Sequence, residues 1–463
     1  MKQSVTPLSL GTDSLSSLLL RYAIPAIVAM TSSSLYNIID SIFIGHGVGP
    51  LAIAGLALTL PLMNIASAFG AMIGIGAAAI ISIRLGQGNR RAAELTLGNV
   101  VLLNLLIGSL FTVLSLTFLD EILYFFGASP QTIGYSRDFM QVILAGTVVT
   151  HLFLGLNEVL RASGYPQKAM MTILIAVGVN ILLNPLFIFV FGWGIRGSAI
   201  ATVIAQVTAL TVSLSHFSSS ESFLHFKRGI FRLRAKIVGG IVSIGLAPFL
   251  LNLCASIVVV FVNKALRLCG GDAGDIYIGA YGIMNRVVLL FVMIVAGLNQ
   301  GMQPIVGYNY GARQYVRVVK TLKMTIFCAV CVTTTGFLIG HLFPRQVAML
   351  FVGSGDGEAA QIIDAAEFGL RTVLMVFPIV GFQIVTSNFF QYIGKPKKAI
   401  LLSMTRQMLF LVPLLILLPS RFGIVGVWIA MPVADTMAAV LAAVLLFRQL
   451  RKLRREPVAE HSI

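Results

Sequence analysis

Long apolar runs separated by short polar breaks make up most of this chain of 463 residues. A helix needs about 20 apolar residues to cross the hydrocarbon core of a bilayer. Several runs are longer than that, so we expect those helices to tilt, kink or project from the bilayer. The runs predict an all-α polytopic membrane protein with twelve transmembrane helices, at residues 15–44, 52–83, 93–119, 134–161, 168–191, 196–217, 237–264, 276–307, 317–342, 364–392, 398–418 and 423–448.

The second half of the chain repeats the first. At an offset of 223 residues, Pro25 matches Pro248 and Asp40 matches Asn263. At offsets of 229 and 230 residues, Gly194-Ile-Arg-Gly matches Gly423-Ile-Val-Gly, and Gly164-Tyr-Pro-Gln-Lys-Ala matches Gly394-Lys-Pro-Lys-Lys-Ala. A self-similarity of this kind is typical of transporters built from two homologous bundles.

The repeat predicts two pseudo-symmetric six-helix bundles related by an axis along the membrane normal, because six spans return each half to the same side. The basic segment between them is expected to be a joint between two mobile halves. We therefore predict an N-terminal six-helix lobe at 15–217, a basic cytoplasmic linker at 218–236, a C-terminal six-helix lobe at 237–448 and a basic cytoplasmic tail at 449–463.

Composition and charge support a membrane location. Hydrophobic residues make up 57% and charged residues 11% of the chain, whereas soluble proteins carry about 25% charged residues. The net charge of +16 comes from Lys and Arg that fall mainly in alternate loops, which predicts both termini in the cytoplasm. We expect a bacterial inner-membrane protein that does not bind nucleic acid. No cleavable signal sequence is recognised at the N-terminus.

Motifs for catalysis and for nucleotide-driven pumping are missing from the sequence. No metal-ligand cluster, nucleophile elbow or P-loop occurs, so we expect neither an enzyme nor an ATP-driven pump, and no cofactor. Cys328 and Cys331 form a CxxC inside an apolar helix, where packing is the expected role.

Asp40 is the carboxylate that lies well inside an apolar run of the N-terminal half. Tyr36 and Asn37 precede it by four and three residues, so all three share one helix face. Ionisable groups inside a membrane are costly and are functional candidates. A cation or proton site at Asp40 is the main hypothesis, and a capped or paired structural acid is the alternative.

Asn180 and Asn184 also share a helix face, and Pro185 follows them. Proline removes a backbone donor and leaves the Ile181 carbonyl without its usual partner. The side-chain oxygens of both asparagines and the Ile181 carbonyl oxygen suit a hard cation or a carboxylic acid. A polar contact between helices is an equal alternative.

The C-terminal half contains one buried acid with two candidate partners. Asp435 is expected either to bind substrate or to pair with Arg406 or Arg286, and Arg286 and Asn37 are further candidates for substrate binding. At the end of the fourth helix, Glu158 and Arg161 are three residues apart, which predicts a local ion pair.

Two equivalent prolines and two methionines complete the candidates. Pro25 and Pro248 are expected to kink their helices, and the first kink could move Asp40 between two environments; a static kink is the alternative. Met63 and Met72, with Tyr36, are candidates for an adaptable substrate chamber, with packing as the alternative.

Taken in order, several segments resemble the multidrug and toxic compound extrusion (MATE) transporters, on the DinF/MepA-like branch. The resemblance runs over nearly the whole chain. The segments are Tyr36-Asn-Ile-Ile-Asp40, Arg161-Ala-Ser-Gly-Tyr-Pro166, Asn180-Ile-Leu-Leu-Asn184-Pro-Leu-Phe-Ile-Phe, Gly197-Ser-Ala-Ile-Ala-Thr202 and Asn299-Gln-Gly-Met-Gln-Pro-Ile-Val-Gly-Tyr-Asn-Tyr-Gly311.

The resemblance implies a V-shaped antiporter that exports cationic amphipathic compounds in exchange for protons or, alternatively, sodium ions. It implies that the N-terminal site consists of Asp40 with Asn157, Asn180 and Thr202. The family often has an acid where this chain has Asn184, and one carboxylate fewer weakens a sodium site. The seventh helix also lacks the Glu of one family branch.

A flippase and an ion channel are the alternatives to multidrug export. A flippase for lipid-linked oligosaccharides or cell-wall precursors would need several cavity arginines for a diphosphate, whereas the central helices show mainly Arg286 and Arg406. An ion channel would need a charged or carbonyl-lined ring. We therefore expect cationic amphipathic substrates and membrane lipid as partners, and a monomer.

Overall fold

The computed structural model describes residues 9–220, 222–352 and 357–455, without the side chains of residues 37, 38, 50 and 455. In these ranges every regular element is helical. The predicted all-α fold is therefore confirmed. The last residues of the predicted basic tail, from 456 onward, lie outside the described residues.

The chain divides into two compact units. The first comprises Met1–Phe249 and Gln303–Ala312. Its complete helices are α1 (Ser9–Thr12), α2 (Leu15–Gly47), α3 (Pro50–Gly86), α4 (Arg90–Thr117), α5 (Leu119–Phe125), α6 (Ile133–Ala145), α7 (Thr147–Ala162), α8 (Pro166–Pro185), a π-helical turn (Leu186–Val190) and α9 (Gly194–Ser218).

The second unit comprises Leu250–Met302 and Arg313–Ile463. Two helices contribute segments to both units, α10 (Ala235–Gly270) and α11 (Gly274–Gly311). The remaining elements are a 3-10 turn (Gly271–Ala273), α12 (Tyr315–Leu342), α13 (Pro344–Val352), α14 (Glu358–Val373), a 3-10 turn (Leu374–Val376), α15 (Phe377–Tyr392), α16 (Pro396–Met404), a π-helical turn (Thr405–Leu411), α17 (Val412–Leu417) and α18 (Pro419–Arg455).

Among the described residues, ten helical stretches are long and apolar enough to cross a membrane. The pair α6 and α7, bent by 54° at Gly146, gives an eleventh span. One of the ten, Ala235–Gly311, contains the 3-10 turn between α10 and α11, and dividing it there gives twelve. Each of the twelve predicted segments overlaps one of these spans.

The residues of the sequence repeat adopt matching backbone conformations. Gly194, the first residue of α9, and Gly423, at a non-helical break four residues into α18, both have φ of 56°, a region that favours glycine. Gly164 and Gly394 also have positive φ, and each is followed two residues later by a proline that opens α8 or α16. Equivalent turns are therefore made by equivalent residues. The predicted bounds of the two lobes, the linker and the tail stay a prediction.

Glycines bring α3 against the first part of α10 at backbone contact. A Cβ atom on Gly76 would lie 2.1 Å from the carbonyl oxygen of Ile241. A Cβ atom on Gly245 would lie 1.9 Å from the carbonyl oxygen of Met72. Both distances are far shorter than any Cβ contact, so only glycine permits this approach.

The linker packs against α4 of the first unit. Asn99 of α4 donates from Nδ2 to the Arg232 carbonyl at 3.1 Å and accepts from the Arg234 amide at 3.0 Å. Lys227 forms an ion pair with buried Glu94 at 2.7 Å. Sequence reasoning missed these contacts with α4, and the role of the linker as a joint between two mobile halves stays a prediction.

Candidate functional site

Asp40 lies on α2, facing α8 and α9. It is 8% exposed, and its Oδ1 atom accepts a hydrogen bond from Ser198 Oγ at 2.7 Å. The same oxygen accepts a second hydrogen bond from Asn184 Nδ2. Both donors are neutral, so the carboxylate is solvated by dipoles instead of being neutralised.

A second group of polar side chains adjoins the first. Asn180 Nδ2 donates to Thr202 Oγ1 at 3.0 Å and lies 3.4 Å from the Tyr36 hydroxyl. Tyr36 and Thr202 are hydrogen-bonded at 3.0 Å. Asn184 Nδ2 also reaches Asn180 Oδ1 at 3.4 Å, which links the two groups.

The six residues come from three helices, two from each, and every pair is separated by four positions. They are Tyr36 and Asp40 on α2, Asn180 and Asn184 on α8, and Ser198 and Thr202 on α9. Residues four apart lie one above the other on a helix, so three polar stripes converge. Sequence reasoning missed Ser198; its spacing from Thr202 was the available signal.

The charge balance at Asp40 differs from that of the other buried acids. Among the described residues three acidic side chains are buried. Glu94 pairs with Lys227 and Arg90, and Asp435 pairs with Arg406 at 2.6 Å. Asp40 forms no ion pair with any described residue. A buried carboxylate in this state needs a proton or a cation.

An unused oxygen lies beside this carboxylate. Asn184 Oδ1 is buried and accepts no hydrogen bond within the described structure. Together with the oxygens of Asp40, Asn180 and Thr202 it forms a set of hard donors, which suits a small monovalent cation as well as a proton. No group of three or more His, Cys, Asp or Glu that could hold a metal occurs among the described residues.

Pro185 leads directly from α8 into the π-helical turn (Leu186–Val190). Proline cannot donate to the preceding turn, so the regular ladder is interrupted one residue after Asn184. Single π-helical turns are frequent at functional sites. The second unit has a π-helical turn (Thr405–Leu411) that contains Arg406.

Asn157 lies in a different polar cluster. Its Nδ2 atom donates to the Ala169 carbonyl at 2.8 Å and to Thr172 Oγ1 at 2.7 Å. Its Oδ1 atom accepts from Arg161 at 2.7 Å, and Arg161 pairs with Glu158 at 3.3 Å. The predicted Glu158–Arg161 pair is present, and the hydrogen bonds recorded for Asn157 do not include Asp40.

The other candidates are dispersed. Met72 is buried, and Met63 packs beside the apolar cluster around α5 and α6. Arg286 belongs to the second unit, is exposed and has no ion pair with a described residue. The side chain of Asn37 lies outside the described residues. Pro25 and Pro248 lie inside the uninterrupted helices α2 and α10, and their role as kinks stays a prediction.

The family model, the relatives and the solved structure reported below all indicate the same family. The MatE family model matches residues 25–186 and again residues 248–417, starting points that differ by the 223 residues of the sequence repeat. The multidrug export protein MepA of Staphylococcus haemolyticus is 28% identical over 434 residues, covering 93% of this chain and 92% of that protein. MepA of Staphylococcus aureus strain MSSA476 is 26% identical over 437 residues, covering 94% and 93%.

A solved structure agrees with these relatives. The outward-facing conformation of a multidrug resistance MATE family transporter of the MOP superfamily superposes with a TM-score of 0.89 at 25% sequence identity. It covers 98% of this chain and 100% of that chain.

Proposed function

The chain belongs to the MatE family, and from this membership we propose that it exports cationic amphipathic compounds in exchange for protons. It is a multi-pass membrane transporter with MepA-like relatives, which are themselves named multidrug export proteins. A bacterial plasma membrane with both termini in the cytoplasm is the location that fits the distribution of Lys and Arg.

The observation that carries the proposal is the buried Asp40 carboxylate without a cationic partner. Its two recorded donors, Ser198 and Asn184, are neutral. Such a group holds a proton in one state and attracts a cation in another, as a coupling site requires. The paired acids Glu94 and Asp435 are already neutralised by basic side chains and are poorer candidates.

The proposed cycle depends on competition at Asp40. The deprotonated carboxylate favours the bound cationic compound, and a proton that enters from outside neutralises the carboxylate and releases the compound. Alternating access would carry the site between the two sides. A proton that moves inward at 100 mV gains about 2.3 kcal/mol, and a monovalent cation that moves outward costs the same. An exchange of one proton for one such cation is therefore driven by the pH gradient, at about 1.4 kcal/mol per pH unit.

Sodium is the alternative coupling ion, and one observation favours it. The unused Asn184 Oδ1 atom lies beside Asp40 and is a suitable hard ligand. However, the affinity of oxygen sites for hard cations depends on the number of charged ligands, and this cluster has one carboxylate. We therefore propose proton coupling first, and sodium coupling as its competitor.

The flippase alternative gains no support from the arginines. A diphosphate needs cationic side chains that are not already neutralised, and Arg406 donates to Asp435 at 2.6 Å. Arg286 is the other central arginine that the sequence offers. One available arginine is a weak basis for binding a diphosphate.

Ethidium efflux tests the proposal. Cells expressing wild type or Asp40→Asn would be loaded with ethidium, with the pH gradient and sodium varied independently. Asp120→Asn is the matched control, because it makes the same chemical change at a half-exposed acid that is paired with Arg137. We expect wild type and the control to respond to the pH gradient without sodium, and Asp40→Asn to lose efflux.

Three results would count against this scheme. Full pH-driven efflux by Asp40→Asn would remove Asp40 from the coupling step. Efflux by wild type that responds to sodium alone would replace the proton with sodium. No efflux of any cation under either gradient would contradict multidrug export itself and favour the flippase.

A further inference from the structure

A basic cavity lies between α12 and α18 of the second unit, and none of the candidate site residues lines it. Its volume is about 390 Å³. On α12 its walls include Val316, Val319, Lys320 and Lys323, and on α18 they include Leu453 and Arg454. With Tyr315, which also lines it, the cavity combines three cationic, three aliphatic and one aromatic side chain.

Helix geometry explains why the α12 residues meet in one place. Positions 316, 319, 320 and 323 follow the i, i+3, i+4, i+7 spacing that defines a single helix face. The two valines occupy the part nearer the N-terminus of α12, and the two lysines follow them. This face mixes charge and apolar surface, which is unlike the purely apolar face of a helix in contact with acyl chains.

Among the described residues, no acidic side chain compensates the positive charge of the cavity. Lys320, Lys323 and Arg454 form no ion pair with any described residue. α12 contains no acidic residue. In α18 the acid is Asp435, which is paired with Arg406 and precedes Leu453 by about 27 Å along the helix.

We infer that this cavity binds the phosphate of an anionic phospholipid. Lys320, Lys323 and Arg454 would hold the phosphate, and Val316, which is 71% exposed, would contact the first methylene groups of the acyl chain. Basic pockets between helices at the membrane surface bind acidic lipid head groups in this way. A free phosphate has the same charge but gains nothing from the aliphatic wall, so the lipid is the favoured source.

Native mass spectrometry of the purified full-length protein tests this inference. Dioleoylphosphatidylglycerol and dioleoylphosphatidylcholine would be titrated separately into wild type and the double variant Lys320→Gln/Lys323→Gln. The matched control is Lys236→Gln/Lys397→Gln, which removes two exposed lysines that do not line the cavity. The assay measures no transport, so its result is independent of the proposed function.

We expect wild type to prefer phosphatidylglycerol, and the cavity variant to bind it about 10- to 30-fold more weakly. Binding of phosphatidylcholine should be unchanged, and the control should stay within about twofold of wild type. Arg454→Gln gives an independent second substitution, and the unfolding midpoint of each variant shows whether it is folded.

Four outcomes would overturn the inference. They are equal binding of the two lipids by wild type, unchanged binding by both cavity variants, an equal loss in the control, and displacement of phosphatidylglycerol by an equal concentration of inorganic phosphate.

Discussion

Replacing Arg406 with methionine should destabilise the protein, because the Asp435 carboxylate would remain buried without a cation. The Nε atom of Arg406 lies 2.6 Å from Asp435 Oδ1, and the two side chains are 25% and 10% exposed. Removing one member of a fully buried pair costs about 3–5 kcal/mol. Because a quarter of the arginine side chain is accessible, we expect a loss of about 2 kcal/mol.

Unfolding by sodium dodecyl sulfate in mixed micelles, followed by circular dichroism, measures this loss. The double variant Arg406→Met/Asp435→Leu buries no charge and should recover at least about 1 kcal/mol relative to Arg406→Met. Arg421→Met is a suitable control because Arg421 is exposed and forms no ion pair with a described residue. Its effect should stay within about 0.5 kcal/mol.

The same variants separate the two roles considered for Asp435. Wild-type stability of Arg406→Met, or a double variant as unstable as the single one, would refute the argument from ion pairing. Ethidium efflux supplies the second readout. If the double variant is stable and transports at the wild-type rate, the predicted role of Asp435 in substrate binding is wrong.

Three further predictions concern the first unit. Asn184→Asp should make efflux respond to sodium, since it adds a second carboxylate to the cluster around Asp40; efflux that stays independent of sodium would contradict a cation site there. Asn99→Ala should speed trypsin cleavage of the 219–234 segment by about tenfold, because two hydrogen bonds are lost; an unchanged rate would show that other contacts hold the linker. Gly245→Ala should impair folding, because the new Cβ atom would lie 1.9 Å from a carbonyl oxygen, whereas Gly239→Ala, with no atom within 4 Å, should fold normally; equal yields of the two would refute this.

Much of the fold followed from the sequence because membrane spans are set by length and hydropathy. Those properties do not specify where a span bends, and the 54° break at Gly146 between α6 and α7 was not predicted. Three short helices, α1, α5 and α13, were also missed, because segments of four, seven and nine residues give little periodic signal.

The site was predicted only in part, because residue spacing gives information within one helix and none about contacts between helices. Spacing of four residues identifies partners on one helix, so Tyr36 with Asp40 and Asn180 with Asn184 could be recognised. Spacing does not determine which face of one helix meets another. Asn157 was assigned to the site by resemblance, yet its three recorded hydrogen bonds join it to Arg161, Ala169 and Thr172.

The two halves have diverged most clearly in their buried acids, and this divergence bears on where coupling takes place. The position equivalent to Asp40 is Asn263, whose Oδ1 atom is buried without a hydrogen bond in the described structure. The acid of the second half, Asp435, is held by Arg406. A neutral amide cannot release a proton, and the charge of the Asp435 carboxylate is already balanced by the Arg406 guanidinium. This difference between the halves supports our proposal that a proton or cation is exchanged in the first half, at Asp40.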